Sequence, residues 1–104
     1  MEKNDYNIRY LPSFNEELKE IVYYIAQILK NKNAAERLIE NVSQAILKRS
    51  INPASFEIYN SVKKRHYDWY RIYVKNFTIL YTVRNNTMEI VHIFYNRRNI
   101  EELI

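Results

Sequence analysis

The chain has 104 residues with no cysteine, no glycine and a formal charge of +4 at neutral pH, a length that suits one domain of residues 1–104 around a single core. Without cysteine there is no disulfide framework, thiolate metal site or thiol nucleophile; without glycine there is no phosphate-cradling loop or dinucleotide-binding turn, so no cofactor is expected. Up to Tyr59 eight Lys and Arg face eight Asp and Glu, and from Asn60 onward eight face four, which points the excess charge toward an acidic partner, nucleic acid or protein.

The opening MEKNDYNIRY lacks the basic-then-apolar order of an export signal and no apolar run is long enough to cross a bilayer, so a cytoplasmic protein with no membrane partner is expected. Asn7 to Leu11 alternates and stops at Pro12, predicting a short edge or flanking strand. Ser13 stands three residues before Glu16, the spacing of a capping box, and Phe14, Leu18, Ile21, Val22, Ile25 and Leu29 fall on one helical stripe. Lys30 to Asn33 breaks that rhythm; Asn33 with Glu36 repeats the cap spacing, and Leu38, Ile39, Val42, Ala45 and Ile46 form a second stripe. The two helices are predicted to form an antiparallel hairpin with apolar faces that need a sheet to cover.

Ser50 to Asn60 contains Pro53 and no sustained period, predicting a loop with Phe56, Ile58 or Tyr59 tucked against the core. Lys63, Lys64, Arg65 and His66 then lead into three runs rich in β-branched and aromatic residues, YDWYRIYV, FTILYTV and MEIVHIFY. Their connections, Lys75-Asn76 and Asn85-Asn86-Thr87, rely on Asn for left-handed backbone, so an antiparallel meander is predicted. Alternation sets Tyr70, Ile72 and Val74 on one face of the first run and Trp69, Arg71, Tyr73 and Lys75 on the other. In the next run Phe77, Ile79, Tyr81 and Val83 oppose Thr78, Leu80 and Thr82. The last run is apolar on both sides and suits a central strand. The tail after Arg98 has room for a short C-terminal helix.

Assembled in this order, the chain resembles toxins of the RelE/ParE superfamily from bacterial type II toxin-antitoxin modules. The segments that carry the likeness are YRIYVKNFTILYTV and VHIFYNRRNIEEL. The resemblance implies an α+β fold: an N-terminal strand, an antiparallel helical hairpin packed on a three- to four-stranded, mainly antiparallel sheet, and a short C-terminal helix. It also implies a cognate acidic antitoxin, and a toxin that either cleaves mRNA on the ribosome or poisons DNA gyrase. Arg71 falls where the nuclease branch has a strand Lys, and Arg98 falls on its Arg just past the last strand. Trp69, Thr78 and Ile104 stand where that branch has Lys, Arg and Tyr. His92 and Tyr95 are placed by looser analogy with members that use a His or Tyr near the end of the last strand.

Metal-free RNA cleavage needs a base for the 2′-hydroxyl, cations for the phosphate and an acid for the leaving oxygen. The sequence expectation is therefore a metal-independent, ribosome-dependent endoribonuclease with Arg71, Arg98, His92 and Tyr95 as catalytic candidates. Lys63, Lys64, Arg65, Lys75, Arg97 and Tyr73 are its candidates for contact with the message. Each has a plainer alternative: Arg71 as a solvent-facing strand residue, Arg97 and Arg98 as a basic end that complements an acidic antitoxin. His92 would be a hydrogen-bonded core histidine, Tyr73 and Tyr95 packing aromatics, and the Lys63 run a solvated charge run. The other functional alternatives are a non-catalytic gyrase poison, or a weakened toxin kept for antitoxin binding.

Overall fold

The computed structural model of the chain describes residues 6–59 and 68–97. A first strand, β1 (Asn7–Tyr10), is followed by α1 (Pro12–Tyr23), a π-helical turn (Tyr24–Ile28), α2 (Lys32–Arg49) and a 3-10 turn (Pro53–Ser55). Then come β2 (Ile58–Tyr59), β3 (Trp69–Val74), β4 (Phe77–Arg84) and β5 (Thr87–Tyr95). The five strands form one sheet in the order β1-β5-β4-β3-β2. Every neighbouring pair is antiparallel except β1 with β5, which run parallel from Asn7 opposite Thr87 to Tyr10 opposite Ile90. The helical hairpin covers one face, and Phe14, Leu38, Val42, Ile46, Ile72, Ile79, Tyr81, Met88, Ile90 and Ile93 are among the side chains that meet in the core. Among the described residues no helix is long and apolar enough to cross a membrane.

The predicted architecture is present, with local differences that have physical causes. The sheet has five strands rather than three or four, because Ile58 and Tyr59, expected in a loop, pair with Tyr70 and Trp69. Phe56 and Ile58, expected against the core, are exposed. α1 does not begin at a Ser13 capping box: Pro12 takes its first turn, where a missing N–H costs nothing, and the Ser13 hydroxyl instead donates to the Val91 carbonyl at 2.5 Å. The second cap is Asn31 rather than Asn33, its side-chain oxygen accepting the Ala34 N–H at 3.1 Å. The first helical stripe runs not through one helix to Leu29 but through α1 and then the π-helical turn. The C-terminal helix expected after Arg98 lies outside the described residues.

Both hairpins manage without glycine. Asn85 and Asn86 take φ of 51° and 60°, the double left-handed turn that matches strand twist. In the β3–β4 turn it is Lys75, not Asn76, that goes left-handed, with φ of 56°, although a Cβ is disfavoured there. Asn96 holds that turn in place: its N–H donates to the Asn76 carbonyl at 2.9 Å and its side-chain amide to the Lys75 carbonyl at 3.4 Å.

Tyr81 is fully buried, its ring stacked on Tyr70 with centroids 5.2 Å apart. Its hydroxyl donates to the Pro53 carbonyl at 2.9 Å and accepts from Arg49 Nη1 at 2.8 Å. Burial raises the phenol above its ordinary value, although the Arg49 hydrogen bond and charge pull it down. A raised native value means that the unfolded chain ionises first, so stability is complete below about pH 10 and falls as pH rises through the native value. Thermal melts above about pH 10 should therefore show a steep loss of stability, shallower in Tyr81→Phe, and identical slopes for the two proteins would refute this role of the phenol.

Candidate functional site

Cross-strand register maps the sheet face turned away from the helices. One row runs Arg9, Glu89, Thr82, Trp69, Tyr59 across all five strands; the next holds His92, Leu80 and Arg71, and a third Phe94, Thr78 and Tyr73. The middle of this face is closed. Leu80 is 0 % exposed, and Thr78, Thr82 and Phe94 are nearly as deep, so these side chains offer no open site at its centre. The Trp69 and His92 rings lie near-parallel, centroids 6.4 Å apart, across the strand between them. Thr78 gives its hydroxyl to Asn96 at 2.5 Å.

Arg71 remains on the rim, half-buried, its guanidinium 4.9 Å from the Tyr59 ring centroid and 5.5 Å from that of Tyr73. Tyr73 is the more exposed of its two ring partners. Arg84 lies 3.5 Å from Glu89, which also receives Arg9 at 3.4 Å. His92 is tied down as well. Its Nδ1 sits 2.9 Å from Glu17 Oε2, and Glu17 Oε1 accepts the Ile93 N–H at 3.0 Å.

Glu17 and Ser13 have a role that periodicity did not reveal. β1 pairs with β5 only as far as Ile90, so among the described residues the edge from Val91 onward has no strand beside it. Ser13 and Glu17, one helical turn apart, supply the donor to Val91 and the acceptor for Ile93. Arg49 acts similarly on the other flank, where β2 covers only the start of β3: its Nη1 donates to the Arg71 carbonyl at 3.0 Å. The signal available in sequence is the mismatch in strand length, since a four-residue β1 cannot cover a nine-residue β5. Bare edges invite pairing with other chains, and folds cover them.

Tyr95 lies on the opposite side from Arg71 and His92. It pairs with Phe77 on the helix-facing side, rings edge-on with centroids 5.2 Å apart. The two rings help line a mostly apolar groove of 690 Å³ with Ile21, Tyr24, Ile25, Leu29 and Ala34, and its polar lining is Glu20, Asn31 and Asn76. π-helical insertions such as Tyr24–Ile28 recur at functional sites. Lys75 and Arg97, both exposed, adjoin the groove through Asn76 and the bonded Asn96.

The structure thus distributes the sequence-derived candidates over three places. Arg71, Tyr73 and His92 belong to the outer face, Tyr95 to the groove, and Lys75 and Arg97 to the end of the sheet where groove and turn meet. Lys63, Lys64, Arg65 and Arg98 lie outside the described residues.

Comparison with known proteins adds to this geometry. Residues 8–100 match the family model described as ParE toxin of type II toxin-antitoxin system, parDE. No curated protein matches in sequence. Among solved structures, the chromosomal ParDE toxin-antitoxin system of P. aeruginosa superposes with TM-score 0.69 at 10% identity, covering 88% of this chain and 97% of that one. The RelB-RelE antitoxin-toxin complex of Methanococcus jannaschii gives 0.49 at 17%, over 86% and 91%.

Proposed function

The chain belongs to the family of ParE toxins of type II toxin-antitoxin systems, and we propose that it arrests growth as a non-catalytic poison of DNA gyrase, held in check by a cognate antitoxin seated in the apolar groove. The observation that carries the choice against RNA cleavage is the dispersal of the catalytic candidates. A base, a phosphate-gripping cation and an acid must converge within hydrogen-bond reach of one substrate. Among the described residues His92 is bonded to Glu17, Tyr95 looks into the groove from the other face, and Arg71 lies over two tyrosine rings. Trp69 and Thr78, at positions where nuclease relatives carry cations, are used for packing on His92 and for bonding Asn96.

The antitoxin reading follows from the groove itself. Exposed Tyr24, Leu29 and Tyr95 rim an apolar channel beside Lys75 and Arg97, which suits an amphipathic segment with apolar anchors and acidic flanks. An acidic antitoxin has that chemistry.

Incubating the purified chain with gyrase and supercoiled plasmid should accumulate cleaved DNA after protease treatment, while primer extension on transcripts from induced cells finds intact messages. Codon-positioned cuts in the transcripts with gyrase unaffected would overturn this reading in favour of the ribosome-dependent nuclease. One observation favours that second reading, the exposed Tyr73 ring beside Arg71, since such rings stack on unpaired bases.

A further inference from the structure

Helix α1 fastens the open side of β5 in steps, and the steps stop short. Ser13 and Glu17, one turn apart on α1, bond Val91 and Ile93, two residues apart on β5. The two spacings match, since four helical residues advance about 6 Å and two strand residues about 6.6 Å. The next step of the series sets Ile21 against Tyr95, and isoleucine has no polar atom to offer. Hydrogen-bonded and outward-turned positions alternate along an antiparallel strand. The Ile93 N–H leaves the sheet for Glu17, and the Asn96 N–H bonds the Asn76 carbonyl within it, so Tyr95 turns its N–H and carbonyl outward as Ile93 does. Among the described residues no group bonds either of them. Ile21 and Tyr95 both line the groove, which therefore offers an occupant a main-chain donor and acceptor beside its apolar side chains.

We infer that the groove holds its partner as an extended strand added to β5 at Tyr95, and that the missing polar side chain at Ile21 is what leaves the place open. The inference rests on the groove being the antitoxin's seat, and it adds how the antitoxin segment is gripped. A helix satisfies its own main chain and leaves the Tyr95 groups unmet, whereas an extended peptide pairs with them and sends every second side chain toward Phe77, Ile25 and Tyr24. The chemistry of the segment follows from the lining. Glu20 is the one charged side chain among the described lining residues, and it repels acid inside the groove. Acidic residues of the segment therefore belong beyond it, beside the exposed Lys75 and Arg97.

The test is amide hydrogen exchange of the isotope-labelled chain, read by NMR, with two short synthetic peptides of the same composition, valine and isoleucine with an aspartate-rich end. One alternates in an extended pattern and the other is rearranged to helical spacing and stapled as a helix. In the free chain the Ile93 amide should be protected and the Tyr95 amide should exchange about tenfold faster or more. The alternating peptide should slow Tyr95 by a similar factor, and methylating alternate backbone amides of that peptide, on the edge that pairs, should weaken its binding about tenfold. Ile21→Gln supplies the missing polar side chain, so it should protect Tyr95 in the free chain and weaken the alternating peptide about tenfold. Ile21→Met, which brings no strong acceptor, should keep Tyr95 exchanging. A Tyr95 amide already protected in the free parent chain, because the chain itself or a second copy covers the edge, overturns the proposal, as does parental peptide affinity in Ile21→Gln. Tighter binding of the stapled helix with Tyr95 still exchanging sinks the added strand but keeps the groove as the seat. Binding of neither peptide sinks the groove as well.

Discussion

Arg49→Met should lower the unfolding free energy by about 3 kcal/mol, or roughly 15 °C in melting temperature. Arg49 closes α2 and joins four parts of the molecule. Its Nη1 donates to the Tyr81 hydroxyl at 2.8 Å and to the Arg71 carbonyl at 3.0 Å, its guanidinium lies 3.6 Å from the Phe56 ring centroid, and the Tyr81 hydroxyl passes the connection on to Pro53. Hydrogen bonds from a charged donor contribute about 1.5–3 kcal/mol each where water is scarce, and the half-buried position of Arg49 argues for the lower end. Methionine keeps the length and apolar stem but leaves both acceptors without their donor. Because Arg49 and Tyr81 share one bond, the double variant with Tyr81→Phe should lose about 1 kcal/mol less than the sum of the singles. Lys48→Ala, one residue away and exposed, should stay within about 0.5 kcal/mol of the parent. A denaturant midpoint for Arg49→Met indistinguishable from the parent would show that the network contributes nothing net.

Ala34→Glu should cost the antitoxin about two orders of magnitude in affinity while leaving the toxin folded and active. Ala34 lines the groove and sits three residues after the Asn31 cap of α2. That is the position where a glutamate supports a helix start, by returning a bond to the cap and by complementing the helix dipole. The substitution is therefore benign for α2 and adverse for the groove, into which it places a carboxylate. Desolvating that charge against apolar anchors and acidic flanks opposes docking by about 3 kcal/mol or more. Cells that carry the antitoxin should fail to be rescued when the variant is induced, and calorimetry on the purified pair should show the weakened binding. Full rescue would place the antitoxin elsewhere on the molecule.

Strand and helix identities were legible because burial enforces a period. Tyr70, Ile72 and Val74 alternate as read, and the last apolar run lies inside the sheet as β5. Positions decided by long-range partners were not legible. Ser13 and Glu16 have the spacing of a helix cap, but the neighbouring uncovered strand edge at Val91 draws the Ser13 hydroxyl away. Glu17 belongs to the polar side of its helix by period, and only the fold brings it to His92 across 75 positions of sequence. Charges were the least readable. Arg71, Arg84 and Arg97 look alike in a string, but one lies on rings, one on a carboxylate and one in an exposed turn.

The parallel pairing of β1 with β5 sets a timetable for synthesis. Asn7 finds its partner in Thr87, so the first strand leaves the ribosome long before its neighbour exists. At translation rates of about 5–20 residues per second the wait is several seconds. Until then no nascent chain has a finished sheet, and the groove, which needs Phe77 and Tyr95 from the last two strands, is completed only at the end of synthesis.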